Sequence, residues 1–402
     1  MTSATDSRPL AGIRVLELGQ LIAGPFAACV LGYFGADVIK VEPPGSGDAL
    51  RNWRVLDDTG TSFWWRSMAR NKRCVTINLR EQRGRDLAHD LAMSSDVVLE
   101  NFRPGTMEKW GLGPQRYQLE HPQLVYTRVS GYGQSGPYSA RPGFASACEG
   151  FGGFRYINGY PDEAPVRPNL SMGDTLAAMN AVIGTLMALI GRNRIGGKGQ
   201  VVDVAIYESV FNMLESVVPE FDGAGVVREP SGTTLTGIVP TNTYRCVDSR
   251  YVVIGGNGDS IFKRLMHAIG RADLADDIRL SDNAGRVRHQ SEVDGAISAW
   301  TSTLNADEVR AHLDCAGVPN GPINSVREIM NDQHFQARGM FESVVVGEQE
   351  LKIPAITPRL CDTPGRTDFA GPELGAHNDE VFRDVLGLTS LQIQHLSDSG
   401  II

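Results

Sequence analysis

A chain of 402 residues with 42% hydrophobic and 21% charged side chains is long enough for a substantial core and for more than one domain. Its 38 basic and 47 acidic residues leave a net charge of −9 with no cationic arm at either end, which argues against a nucleic-acid partner. The longest apolar run, 176–191, is interrupted by Asn180 and falls short of the about 20 residues that span a bilayer, and the polar stretch 1–9 has no apolar signal core, so neither a membrane partner nor export is expected and the setting is cytoplasmic.

From the N-terminus, residues 12–42 read as a βαβ unit. Val15, Leu16 and Leu18 carry a strand, Gly19 a turn, 27–33 a helix, Gly35-Ala36-Asp37 a stop, and 38–41 a second strand. Apolar runs at 97–99, 124–129 and 201–205 alternate with helical stretches such as 83–93 and 175–190. That alternation predicts an α/β fold whose large domain is a doubly wound, Rossmann-like parallel sheet covered on both faces. After about residue 211 the composition changes. Residues 220–237 are loop-like, then a strand at 251–254 and helices at 261–269, 292–303 and 306–316 predict a smaller α+β domain. Residues 317–323 read as a linker, and a strand at 342–346 and a helix at 379–386 close the chain. The expected organisation is a large domain at 1–210, a linker at 211–236, a small domain at 237–325, and a linker with a return to the large domain at 326–402.

Six cysteines are scattered without a CxxC element and are expected to be free thiols in a reducing compartment. Eight histidines are equally dispersed, so no protein-held metal is expected.

Four stretches have residues suited to chemistry. The first βα turn, Gly19-Gln20-Leu21-Ile22-Ala23-Gly24-Pro25, lies where a doubly wound sheet receives phosphate. The GxGxxG fingerprint is missing, so the turn is either structural punctuation or part of a site unlike the standard dinucleotide one. Arg70, Lys72, Arg73 and Arg80, then Arg103 and Lys109, recur around strand ends, as a solvated rim or as partners for the phosphates of a small ligand. Asp174, in Ser171-Met172-Gly173-Asp174-Thr175, directly precedes the apolar helical run and reads locally as an N-cap. The same station suits a covalent nucleophile toward an activated acyl group, because a helix N-terminus stabilises a carboxylate and Gly173 admits close approach. Gly255-Gly256-Asn257-Gly258 is either a tight turn or a mobile flap.

Motifs spread in order along nearly the whole chain resemble the class III CoA-transferases, the CaiB/BaiF or formyl-CoA transferase family. They include Pro9-Leu10-Ala11-Gly12-Ile13-Arg14-Val15-Leu16-Glu17-Leu18, Ala23-Gly24-Pro25, and Gly35-Ala36-Asp37-Val38-Ile39-Lys40-Val41-Glu42-Pro43-Pro44-Gly45 with Asp48 and Arg51. Further along come Asn71-Lys72-Arg73, Glu100-Asn101-Phe102-Arg103-Pro104-Gly105, Gly131-Tyr132-Gly133-Gln134-Ser135-Gly136-Pro137, Gly197-Lys198-Gly199-Gln200, Gly317-Val318-Pro319-Asn320-Gly321-Pro322-Ile323 and Leu374-Gly375-Ala376-His377-Asn378. The resemblance implies that Asp174 is the nucleophile, forming an aspartyl anhydride and then an aspartyl-CoA thioester. It implies that Ile22 and Ala23, Asn78, Leu79 and Arg80, Asn101, Phe102 and Arg103, and Lys109 hold coenzyme A. Backbone N–H groups of the 255–258 loop would cover the intermediate and exclude water. The resemblance further implies that the CoA thioester is a substrate, with no tightly bound cofactor, ATP or metal, and that the partner is a second copy of the chain in an interlocked homodimer.

Likeness at Ser62-Phe63-Trp64-Trp65-Arg66, Pro165-Val166-Arg167-Pro168 and Gly237-Ile238-Val239-Pro240-Thr241-Asn242 points to members that take succinyl-CoA as donor and a C4–C6 dicarboxylate or hydroxydicarboxylate as acceptor. Arg66 and Arg167 are then either partners for the distal carboxylate or surface ion pairs. The chain departs from the family at Gly143-Phe144-Ala145, where Gly-Tyr-Asp is common, and at Ile22, where formyl-transferring members have glutamine. The related α-methylacyl-CoA racemases have a histidine at the position of Phe144, and without it two-base racemisation is hard to build. The competing readings are a racemase or epimerase, a non-catalytic acyl-CoA-binding subunit, and an NAD-dependent oxidoreductase drawn from the α/β pattern alone.

Overall fold

The computed structural model describes residues 6–192, 194 and 196–402. Six strands, β1 (Arg14–Glu17), β2 (Asp37–Glu42), β3 (Lys72–Thr76), β4 (Val97–Glu100), β5 (Val125–Ser130) and β6 (Val201–Ala205), form one sheet in the order β3-β2-β1-β4-β5-β6. Every pairing in it is parallel, with Val15 beside both Val38 and Val97. Because side chains alternate across a strand, neighbours sort into two cores. Val15, Val38, Val97 and Val125 pack with the helix Ala23–Tyr33 and with Met172–Arg192. Leu16, Ile39, Val75 and Val98 pack with Leu87 and Leu91 of the helix Gln82–Met93 and with Val381 and Phe382 of Asn378–Asp384. The expected α/β architecture with a parallel sheet is therefore present. Its strand order reverses at β1, and the crevice beyond the carboxyl ends of β1 and β4 is where such sheets receive ligands.

The strand β3 escaped the sequence reading because it opens with Lys72 and Arg73, which look like surface. Lys72 is instead fully buried, its ammonium 2.7 Å from the Glu17 carboxylate. The helix Met172–Arg192 runs 21 residues, longer than the apolar run within it, and among the described residues it alone is long and apolar enough to cross a membrane. One face of it, including Ala177, Ala178, Ala181 and Ala188, is buried in the sheet core, and Thr185 Oγ1 meets Thr127 Oγ1 of β5 at 2.6 Å.

The described chain divides into two compact units. One comprises the residues up to Phe154 with Pro168–Glu215 and Gln336–Ile402, and the other comprises Arg155–Arg167 with Ser216–Phe335. The first also carries an antiparallel hairpin, β10 (Phe341–Val346) with β11 (Gln349–Pro354). In the second, β7 (Thr241–Arg245), β8 (Tyr251–Gly255) and β9 (Asn320–Pro322) form an antiparallel sheet in that order, over a core containing Phe262, Leu265, Val293, Ile297, Val309 and Leu313. The stretch read as a linker at 317–323 thus contains a strand. Its Gly and Pro lack strand propensity, and pairing with Val252–Ile254 supplies the order instead.

Candidate active site

A cleft of about 810 Å³ opens beyond the carboxyl ends of β1 to β4. Leu18 and Gln20 line it after β1, Glu42 to Pro44 at the end of β2, Ile77 to Arg80 after β3, and Phe102 and Trp110 after β4. The Phe102 and Trp110 rings meet edge to face at 5.1 Å, giving the cleft an aromatic wall.

The first turn is held from beneath by charge. Leu21 has a positive φ of 66°, a strained setting for a branched side chain, and its N–H donates to both Asp48 carboxylate oxygens at 3.1 Å. Lys40 sits between Asp48 at 2.9 Å and Glu17 at 2.8 Å, Lys72 completes Glu17, and Arg51 forks onto Glu42 at 2.7 and 2.8 Å while stacking on Trp65 at 3.8 Å. All six charged side chains are buried, three of each sign. Burial opposes the charge on Lys40, but Asp48, Glu17 and Glu42 outweigh it and raise the pKa of the ammonium.

Asn101 ties the end of β4 to this turn. Its Oδ1 accepts the Gln20 N–H and its Nδ2 donates to the Gln20 carbonyl, both at 2.8 Å. A Cβ on Gly19 would lie 2.9 Å from Asn101 Oδ1, which is why glycine stands there. Ile22 and Ala23 are buried at the start of the following helix. Asn78 and Leu79 line the cleft, and Asn78 Oδ1 accepts the Arg80 N–H at 3.2 Å.

The basic residues separate into two sets. Arg70 is buried and donates to Ser67 and to the Pro354 carbonyl, Lys72 is in the charge network, and Arg73 pairs with Asp37 and Glu380. Those three are engaged within the fold, and the burial of Arg70 and Lys72 fits neither a solvated rim nor free phosphate partners. Arg80, Arg103 and Lys109 are exposed and have no ion pair among the described residues; Arg80 lines the cleft, while Arg103 and Lys109 adjoin the lining residues Phe102 and Trp110 in sequence.

Asp174 lies in the first turn of Met172–Arg192 and is half-buried. The N-cap reading is corrected. The Ser171 carbonyl accepts the Thr175 N–H at 3.0 Å, so the helix begins before Asp174. Behind it, Gly173 is buried, and its N–H donates to Glu149 Oε1 at 3.1 Å. A Cβ on Gly173 would stand 3.1 Å from Ile206 Cγ2, 3.3 Å from Glu149 Cγ and 3.4 Å from Ala145 Cβ. Gly173→Ala would gain helix propensity, yet its neighbours must yield by tenths of an ångström. It is expected to fold normally by circular dichroism and to lower kcat about tenfold through displacement of the next residue. Sequence reasoning missed Glu149. The one available signal was an acid in the otherwise small and apolar helix Ala145–Phe151, which Phe144 precedes with its ring exposed.

In the second unit, Gly255 and Gly256 already donate their N–H groups to Pro319 and Pro240 carbonyls. Arg286, fully buried, binds the Asn257 carbonyl at 2.7 Å and Asp259 at 2.8 Å. The 255–258 stretch is therefore a pinned turn, not a mobile flap, and Gly258 leads into the helix Asp259–Ala268. Arg286→Ala, which leaves the Asn257 and Val239 carbonyls without their buried donor, is expected to cost this unit about 3 kcal/mol, read from urea unfolding.

Arg66, a candidate for a substrate carboxylate, is buried instead, bonded to Asp57, Thr59, Glu373 and the Gly371 carbonyl. Those bonds make it a clamp on the C-terminal segment. Arg167 is exposed. The six cysteines are free, four of them buried, and no cluster of His, Cys, Asp and Glu suited to a metal occurs among the described residues.

The profile of CoA-transferase family III matches residues 10–378. The chain is 45% identical to succinyl-CoA–D-citramalate CoA-transferase of Chloroflexus aurantiacus across 100% of both chains. It is 40% identical to the α subunit of succinyl-CoA–L-malate CoA-transferase of Chloroflexus aurantiacus, over 99% of this chain and 93% of that one. Among solved structures it is similar to a CaiB/BaiF family protein from Brucella suis, with a TM-score of 0.83 and 32% identity over 94% of this chain and 99% of the other.

Proposed function

Because the chain belongs to CoA-transferase family III, we propose that it moves coenzyme A from succinyl-CoA to a C4–C6 dicarboxylate or hydroxydicarboxylate through covalent intermediates on Asp174. The observation that carries the covalent part is the station of Asp174, a half-buried carboxylate in the first helical turn with a side-chain-free residue behind it. The donor and acceptor classes are supported by the relatives' named substrates.

In the exchange, an Asp174 carboxylate oxygen attacks the thioester carbonyl, the C–S bond breaks, and CoA leaves as thiolate. The thiolate attacks Asp174 Cγ, the Cγ–O bond of the anhydride breaks, and succinate departs, leaving aspartyl-CoA. The acceptor carboxylate then attacks Cγ and expels the thiolate, which takes the acyl group from the new anhydride and frees Asp174. Each step converts one anion into another, so no proton or outside energy is consumed. Asn78, Leu79, Arg80 and Phe102 would hold the adenosine and phosphates, joined by backbone groups of Ile22 and Ala23 and by the cations Arg103 and Lys109. Asn101 serves as a brace. An interlocked homodimer belongs to the same reading. Met179, Ile183, Met187 and Ile190 are exposed along one side of the long helix, which a second copy would cover, and light scattering should return the mass of two chains.

The test uses carboxylic acids presented with succinyl-CoA, followed by mass spectrometry of the Asp174 peptide. A CoA adduct on that peptide is expected, with transfer to dicarboxylates. The oxygen account gives a second measurement. The departing acid carries off the oxygen with which Asp174 attacked, and the next acceptor replaces it. With an acceptor labelled with oxygen-18 in its carboxylates, label is expected in released succinate over repeated turnovers and none from labelled water; unlabelled succinate would mean that Asp174 forms no anhydride.

A further inference from the structure

The helix Ser390–Asp398 is closed at both ends by its own neighbours in sequence. Thr389 and Gln392 form a reciprocal capping box at its start. At its end Gly400 has a φ of 68°, its N–H donates to the Ser397 carbonyl, and the Ile401 N–H donates back to the Leu396 carbonyl, both at 2.9 Å. Ile401 and Leu396 also share one apolar core with Ile77. These are the bonds and the contact of a Schellman turn, which favours glycine in the left-handed region. The turn reverses the chain so that the carbonyl of Ile401, a residue 8% exposed, accepts the Asn78 N–H at 2.7 Å. Gly400 itself lines the cleft beyond β1 to β4.

Asn78 passes this constraint along its loop. Its carbonyl accepts the Glu81 N–H at 3.1 Å, and Gly84 packs on that carbonyl so closely that a Cβ there would stand 2.1 Å from the oxygen. Its Oδ1 accepts the Arg80 N–H at 3.2 Å, and Arg85 clasps the Leu79 and Arg80 carbonyls at 3.2 and 2.7 Å. The backbone around Arg80 is thus fixed while its guanidinium stays exposed at the cleft.

Resting on the reading of this cleft as the CoA site, we propose that Gly400, Ile401 and Ile402 are positioning residues for coenzyme A, holding the loop 78–80 so that Arg80 meets the phosphates. The loop has two backbone anchors. On one side the Ile77 N–H donates to the Glu42 carbonyl at 2.8 Å, and on the other Asn78 depends on Ile401. With the second anchor gone, the loop must be ordered when the ligand arrives, and that ordering is subtracted from the affinity. The penalty falls on the nucleotide end of the substrate alone, because an Arg fork acts on phosphate and the thioester carbon has none.

The experiment follows exchange of carbon-13-labelled succinate into two thioesters, succinyl-CoA and succinyl-pantetheine, which share the reacting bond and differ in the nucleotide. The double variant Ile401→Gly/Ile402→Gly keeps length and charge and removes both apolar anchors. KM for succinyl-CoA is expected to rise about tenfold with kcat within about threefold of wild type, while both constants for succinyl-pantetheine stay within about threefold. Ile401→Val/Ile402→Val keeps the anchors and should return KM to within about twofold of wild type. An unchanged KM for succinyl-CoA in the double-glycine variant overturns the proposal. So does an equal loss with both donors, which is the mark of a general loosening of the fold. Should circular dichroism find that variant unfolded, Gly400→Ala replaces it under the same criteria, since its methyl meets nothing within 4 Å and strains only the turn. Arg80→Ala tests the underlying reading separately: KM for succinyl-CoA alone should rise, and a KM left unchanged would sink the assignment of this cleft to coenzyme A.

Discussion

Replacement of Asp174 by alanine is expected to lower kcat by at least about 10³-fold, because the acyl group then has no covalent way station and direct attack of one carboxylate on a distant thioester must carry the reaction. The substitution removes a half-buried side chain from a helix whose core contacts lie at Ala177, Ala178 and Ala181, so the melting curve should barely move. The cleft residues Asn78, Leu79 and Arg80 belong to a different loop, and calorimetric titration with CoA should return an affinity close to wild type. Intact binding with abolished turnover separates a chemical role from a folding role. Retained turnover within about tenfold would reject Asp174 as nucleophile.

The largest expected effect on stability comes from Lys40→Met. The substitution keeps length and apolar volume but leaves Glu17 and Asp48 buried without the ammonium that touches both at 2.8 and 2.9 Å. Breaking one member out of a buried ionic set costs about 3–5 kcal/mol, because the partners' desolvation is no longer offset. For a chain of this size that corresponds to an apparent melting temperature roughly 5–10 °C lower. The effect should reach the cleft as well. Asp48 holds the positive-φ Leu21 N–H, and the loss of its counterion loosens the turn, so CoA affinity should fall along with stability. A drop below about 1 kcal/mol in chemical unfolding would mean that the network contributes little net energy.

What could be read from the chain followed from local cause. β1, β2, β4, β5 and β6 announce themselves because each carries Val, Leu or Ile in a short strand-length run, and the period of Met172–Arg192 is plain. β3 and β9 are strands for reasons located elsewhere: Lys72 is admitted to the interior by Glu17, and Asn320–Pro322 is ordered by β8. The cations obey the same division. Nothing near Arg66 or Arg70 in sequence reveals that their partners include Gly371 and Pro354, some three hundred positions away, so both resemble free surface charge until the fold closes. The place of Asp174 at the head of the long helix could be read from the chain, whereas the contact of Glu149 with the Gly173 N–H became visible only once a separate helix brought its carboxylate there.

The paired hydrogen bonds between Asn101 and Gln20 make the two sides of the ligand crevice a single mechanical piece before any nucleotide arrives. If coenzyme A binds there as proposed, entry of its adenosine moiety requires little ordering of those sides, and the contact energy of the ring and phosphates is available as affinity instead of being consumed in assembling a mouth. Exchange at this enzyme should then be limited by departure of the nucleotide handle, with the crevice keeping the same shape whether loaded or bare.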